Sequence, residues 1–183
     1  MAEVFPAPRA GAIRSSGHDC VGRGLMGKPA GATTQEVADG VGLDLAVVHR
    51  AFRRLQTSQL ILSDRRVQAV HAEEFLVHGL RYVFPPEYGG ASRGVPTAWA
   101  VSPLRERFAS DGSLPPVWPH PQGAVRGIAV EPLHKAVPSA ALADPALHAR
   151  LAVVDALRLG DARQCREARE LLLPMLVPAG GVG

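Results

Sequence analysis

Glycine and proline divide this chain of 183 residues into stretches that can hold long helices and stretches that cannot. Most of its 19 glycines and 16 prolines fall in 1–31 and 81–143, while 32–80 and 144–176 carry few. A glycine inside a helix costs about 1 kcal/mol relative to alanine and a proline about 3. Helices therefore belong to the second pair of stretches, and turns and short strands to the first. The class expected is α+β. Hydrophobic residues make up 46% and aromatics only 5%, so Leu, Val and Ala must fill the core. That composition excludes a coiled coil, a collagen-like fibre and a wholly disordered chain.

Residues 32–80 are the most informative. Thr33 or Thr34 can cap a helix over Gln35–Asp39, with Glu36 supporting its first turn. Gly40 ends that helix, and Val37, Ala38 and Val41 supply its apolar face. Gly42-Leu43-Asp44 makes a sharp turn with Asp44 as N-cap. A second helix follows over Leu45–Thr57. Val48, Ala51, Phe52 and Leu55 recur at helical spacing along one face, which leaves His49, Arg50, Arg53 and Arg54 largely on the other. Next, Leu60-Ile61-Leu62, the polar tip Ser63-Asp64-Arg65-Arg66 and the alternating Val67–Val70 read as a small hairpin. A helix candidate, Ala72–Leu80, ends at Gly79.

The charge is concentrated here. All but two of the 20 cationic residues are arginine, the exceptions being Lys28 and Lys135. The whole chain carries +3, too little to establish nucleic-acid binding by itself. Five arginines against Asp44 and Asp64 give 43–70 the same local excess.

The segment from Thr34 to Gln56 resembles the helix-turn-helix of bacterial winged-helix regulators of the MarR-like type. The resemblance covers 32–80, about a quarter of the chain. It implies that helix 45–57 enters the major groove of double-stranded DNA and that the hairpin is a wing on the backbone. Ala46, Val47, Arg50 and Arg53 would then face the groove. His49 would add a donor, Arg54, Arg65 and Arg66 phosphate contacts, and Thr34 is a further DNA-binding candidate. One winged helix makes few contacts, so specificity implies a homodimer on two half-sites. Such regulators usually carry a helix ahead of the motif, whereas here that place is taken by the Gly- and Pro-rich arm 1–31. A small winged helix ahead of a second domain is also the layout of AbiEi-type antitoxins. The alternative function is accordingly a winged-helix protein-interaction module, or an antitoxin that binds and neutralises a partner protein from the same operon.

Residues 81–176 form a Pro/Gly-rich α+β region. Within it Gly90-Ala-Ser-Arg93-Gly94 is echoed by Gly123-Ala-Val-Arg126-Gly127, each preceded by an aromatic-Pro pair and followed by Pro-Leu. Two short β-rich lobes would explain the echo. Val95–Val101 and Ala124–Val130 are the strand candidates. Arg93, Arg126 and His134 are candidates for a ligand or partner contact. Asp144-Pro145 starts a helix running to Leu159, with Leu147, Leu151, Val154 and Leu157 as its stripe. Asp161 caps a last helix, Ala162–Leu173, broken by Pro174. The tail 177–183 is expected to be disordered.

No catalytic signature emerges. Gly22-Arg-Gly-Leu-Met-Gly-Lys28-Pro lacks phosphate-loop spacing. Neither Cys20 nor Cys165 sits in metal-ligand spacing, and Glu73, Glu74 and Asp155 read as isolated carboxylates on helix surfaces. No metal, cofactor or enzymatic activity is expected. With no apolar run of about 20 residues and no leader pattern, a cytoplasmic protein without membrane contact is expected.

Overall fold

A computed structural model describes residues 33–108 and 112–177. The arm 1–31 and all of the expected tail except Val177 lie outside the described residues. The fold is α+β, and the described residues form six helices around one three-stranded sheet. The first two helices are α1 (Thr34–Val41) and α2 (Leu45–Thr57). Thr33 opens α1 with a full capping box. Its hydroxyl accepts from the Glu36 N–H, and the Glu36 carboxylate accepts from the Thr33 N–H at 2.7 Å. Gly42 closes α1 in the left-handed region, at φ 65°. Asp44 then caps α2 by accepting from the Ala46 N–H at 2.8 Å.

The hairpin expected over 60–70 shrinks to a single bridge, Ile61 to Val67, closed by a turn over 62–65. Val67–Val70 is not a strand, because the chain turns helical at Ala69. Helix α3 runs 69–83, past the expected stop at Gly79. α-Helical Ala69–Glu74 and Leu80–Val83 flank a π-helical turn, Phe75–Gly79. Phe75 packs over Gly79, leaving no room for a Cβ there without movement of the ring.

The sheet consists of β1 (Tyr88–Pro96), β2 (Pro116–Pro119) and β3 (Val125–Val130). Each strand pairs with both others. β1 is antiparallel to β2 and β3, and β2 is parallel to β3, so the three close into a ring. So tight a closure needs glycine. A Cβ on Gly94 would strike the Trp118 carbonyl, and one on Gly127 the Pro115 carbonyl. The strand expected at Val95–Val101 is displaced: Pro96 ends β1 and Ala98–Ala100 forms a 3-10 turn. The echoed segments do not make two lobes. They supply neighbouring strands of one sheet.

Three helices follow: α4 (Val137–Ala143), α5 (Pro145–Leu159) and α6 (Ala162–Leu176). Asp144 and Asp161 cap α5 and α6 as expected. α6 continues through Pro174 to Leu176, because that proline lies in the last turn, where only one further carbonyl loses its donor. α5 is the hub, buried continuously from Ala152 to Arg158. The largest core cluster joins Ala72, Leu76 and Leu80 of α3 to Val154 and Leu157 of α5 and Leu172 and Leu176 of α6. A second joins Val37, Ala38, Val41 and Val48 to Ala140 and Leu147. A third joins Val95 and Trp118 to Ala141. Leu151 packs against both of the last two.

Candidate nucleic-acid interface

Helix α2 is anchored by one face and bare on the other. Val48 is buried, and Ala51, Phe52 and Leu55 are half-buried, at the helical spacing expected. Ala46, His49, Arg50, Arg53 and Arg54 are exposed, whereas Val47 is half-buried and only partly presented. Arg50, Arg53 and Arg54 with Thr57 and Ser58 line a shallow hollow of about 370 Å³. The Thr57 hydroxyl donates to the Arg53 carbonyl at 2.9 Å, and the Ser58 N–H donates to the Arg54 carbonyl at 2.9 Å. These bonds close the C-terminal turn. The partial negative charge of that helix end favours the Arg54 cation. Ion pairs occupy Arg66, Arg107, Arg158, Arg166 and Arg169, but neither Arg50 nor Arg53 among the described residues.

Two arginines expected on phosphates are engaged within the protein. The Arg65 guanidinium donates to Thr34 Oγ1 at 2.9 Å and lies 4.8 Å above the centre of the Phe52 ring. It therefore ties the 62–65 turn to both α1 and α2, and it uses the Thr34 hydroxyl in doing so. Arg65 takes a left-handed backbone, φ 68°, which aims its side chain back at those helices. Arg66 Nε contacts Asp64 Oδ2 at 2.6 Å, both side chains being exposed. The Arg66 backbone N–H, and then its guanidinium, hold the Asp64 carboxyl below the usual carboxylate range. The reduced hairpin carries less free positive charge than its sequence suggests.

Arg93 and Arg126 are brought together. They are direct cross-strand partners in the antiparallel β1–β3 pairing. His134 stands at the opposite end of β3, in the turn 131–136. Its Nδ1 accepts from the Ala136 N–H at 3.1 Å. Burial, and then the charge of Lys135, lower its pKa from the usual 6.5.

Asp155 is not a surface carboxylate but lies at the centre of the fold, 1% exposed. Its Oδ2 accepts from Trp118 Nε1 at 2.7 Å and from Thr97 Oγ1 at 2.9 Å. Arg158, itself 2% exposed, approaches Oδ1 at 3.1 Å and donates to the Glu131 carbonyl at 2.6 Å. This cluster joins α5, the 97–100 turn, β2 and the end of β3. The signal for it was an Asp and an Arg three residues apart inside an otherwise apolar run. Glu73 pairs with Arg169 on α6 at 3.1 Å.

Among the described residues no group of three or more His, Cys, Asp or Glu is placed to hold a metal, and no helix is long and apolar enough to cross a membrane. No family model, curated protein or solved structure matches the chain.

Proposed function

We propose that the protein binds double-stranded DNA and regulates transcription as a winged-helix repressor, with α2 lying in the major groove. The observation that carries this reading is the outward row Arg50, Arg53 and Arg54 around an open hollow, on a helix whose opposite face is buried. The α1–turn–α2 unit is capped at both helix starts, so the row is presented on a rigid support. Arginine forks match guanine O6 and N7 in the major groove and the oxygens of a phosphate. In this reading Ala46 and His49 meet base edges near the start of α2. The hollow at its far end receives a backbone phosphate. The 62–65 turn, braced by Arg65, is a shortened wing that supports the helix rather than gripping the flanking groove. Specific affinity then requires two copies on two half-sites.

The test is fluorescence anisotropy of the whole protein with duplex DNA from its own upstream region and with scrambled duplex, over a range of salt. The wild type is expected to prefer its own sequence and to weaken as salt rises. Arg50→Ala/Arg53→Ala should weaken binding and, if both side chains meet phosphates, lower the log–log salt slope by about 1.8. The substitutions lie on the solvent side of α2, so stability should stay within about 0.5 kcal/mol of wild type. A folded wild type with no affinity for any duplex at low salt would overturn the reading. It would leave α2 as a surface for a partner protein.

A further inference from the structure

We propose that Arg93 and Arg126 form a two-pronged site for a phosphate-type dianion on the β1–β3 face of the sheet. The inference is independent of the reading of α2. The two G-x-x-R-G segments pair so that arginine meets arginine: Arg93 faces Arg126, Ser92 faces Gly127 and Gly94 faces Val125. The sequence echo thus becomes a local two-fold arrangement centred on the arginine pair. Direct partners in an antiparallel ladder project to the same face, with Cβ atoms about 5 Å apart. Both residues are exposed. Among the described residues no ion pair neutralises either guanidinium.

Like charges directly opposite one another weaken a ladder. The fold gains nothing visible from these two cations, yet it places them on its most constrained backbone. β1 is hydrogen-bonded on both sides. The Arg93 carbonyl accepts from the His120 N–H at 3.3 Å, and Gly94 and Gly127 sit in contacts too close for any side chain. Two forks on a fixed base suit one tetrahedral oxyanion carrying two charges, each guanidinium donating to separate oxygens. A monovalent planar carboxylate would satisfy one fork and leave the repulsion between the pair largely in place. The ligand class is therefore a phosphate group: the dianion of a small phosphorylated molecule or, because each phosphodiester of a nucleic-acid backbone carries one charge, two neighbouring backbone phosphates, one to each fork.

The experiment titrates inorganic phosphate into the whole ¹⁵N-labelled protein while the arginine Nε–H resonances are followed. Sodium chloride at matched ionic strength is the control. Saturable shifts of the Arg93 and Arg126 resonances are expected, absent with chloride. Arg93→Gln or Arg126→Gln should each raise the phosphate Kd by about tenfold, the loss of one charged hydrogen-bond pair. Each should also leave the melting temperature equal to or above wild type, since a repulsion is removed. Arg93→Lys/Arg126→Lys keeps both charges without the forks and should bind more weakly than wild type but better than the double Gln variant. Equal effects of chloride and phosphate, unchanged binding in the Gln variants, or a lowered melting temperature in them would overturn the site. A parallel titration with duplex DNA identifies the source of the phosphate. Unchanged DNA affinity in the double Gln variant supports a small phosphorylated ligand. Loss of affinity with a salt slope smaller by about 1.8 supports the DNA backbone.

Discussion

Replacing Asp155 by alanine should bring this protein close to its unfolding threshold. The side chain is 1% exposed and accepts hydrogen bonds from Thr97 and Trp118, both also buried. Its removal strands two buried donors and leaves Arg158, 2% exposed, without its counter-charge. Breaking a buried ion pair from one side costs about 3–5 kcal/mol. Each stranded donor would add about 1–3 kcal/mol if the cavity could not relax or admit water. These terms overlap, so a loss of about 4–5 kcal/mol is expected, against a typical total of about 5–15. At about 2–4 °C per kcal/mol for a chain of this size, the melting temperature should fall by roughly 10–15 °C.

Asp155→Asn separates charge from hydrogen bonding. The amide oxygen can still accept from Trp118 and Thr97, so its loss should be about half that of the alanine variant. The pH dependence gives a further check. Burial raises the Asp155 pKa above its ordinary 3.8, outweighing the opposing pull of Arg158, Thr97 and Trp118. The folded state therefore binds this proton more tightly than the unfolded chain does. Stability from this group is complete below the unfolded value and declines as pH rises through the raised folded value. The advantage of wild type over Asp155→Asn should accordingly shrink as pH rises across that window. Urea midpoints between pH 4 and 8, with the m-value held constant, measure this directly. An alanine variant within 1 kcal/mol of wild type would refute the account of the cluster. An advantage that grows with pH would refute the direction assigned to the pKa.

Gly94→Ala should be severely destabilising, because the added methyl meets the Trp118 backbone carbonyl, which is fixed by the ladder. A loss of more than about 3 kcal/mol in a denaturant titration is expected, and a near-neutral result would contradict the closed three-stranded arrangement. Cys165 should react slowly with a thiol reagent at pH 8 in a Cys20→Ser background. Burial raises its pKa above the usual 9.0, and its Sγ lies 3.3 Å from the Gly160 carbonyl, an acceptor for the protonated thiol. A rate equal to that of free cysteine would show that the α5–α6 turn opens readily.

The parts of this fold readable from sequence are those set by local chemistry. Thr33 with Glu36, Asp44, Asp144 with Pro145, and Asp161 each mark a helix start that the structure retains. The apolar spacing of Val48, Phe52 and Leu55 orients α2 correctly, because one face of that helix is wet. Where tertiary contact decides, local signals fail. β1 contains Gly89, Gly90, Gly94 and Pro96, all poor strand formers, and its burial does not alternate. Gly94 serves a close backbone approach to Trp118, which a propensity scale counts against a strand. The burial of Asp155 escapes the sequence pattern for a related reason. A helix covered on all sides has no wet face, so a carboxylate on it cannot be assigned by period. The candidate interface divides along the same line. The exposure of Arg50, Arg53 and Arg54 follows from helix period, but the inward turn of Arg65 depends on a left-handed backbone and a ring on another element.

The short helix α4, absent from the sequence reading, connects the two basic surfaces. Its Ala140 belongs to the cluster containing Val37, Val41 and Val48, and the adjacent Ala141 belongs to the cluster containing Val95 and Trp118. Consecutive alanines on a helix face different directions, and their small side chains let both neighbours approach closely. α1 and α2 are thereby packed against one side of α4, and the sheet bearing Arg93 and Arg126 against another. Leu151 of α5 touches both clusters. The row on α2 and the arginine pair on β1–β3 thus rest on two core clusters that meet at Leu151 and α4. Enlarging Ala140 would press on α1 and α2, and enlarging Ala141 on the sheet. Each substitution should disturb the nearer basic surface first, because close-packed cores transmit a misfit to the side on which it is introduced.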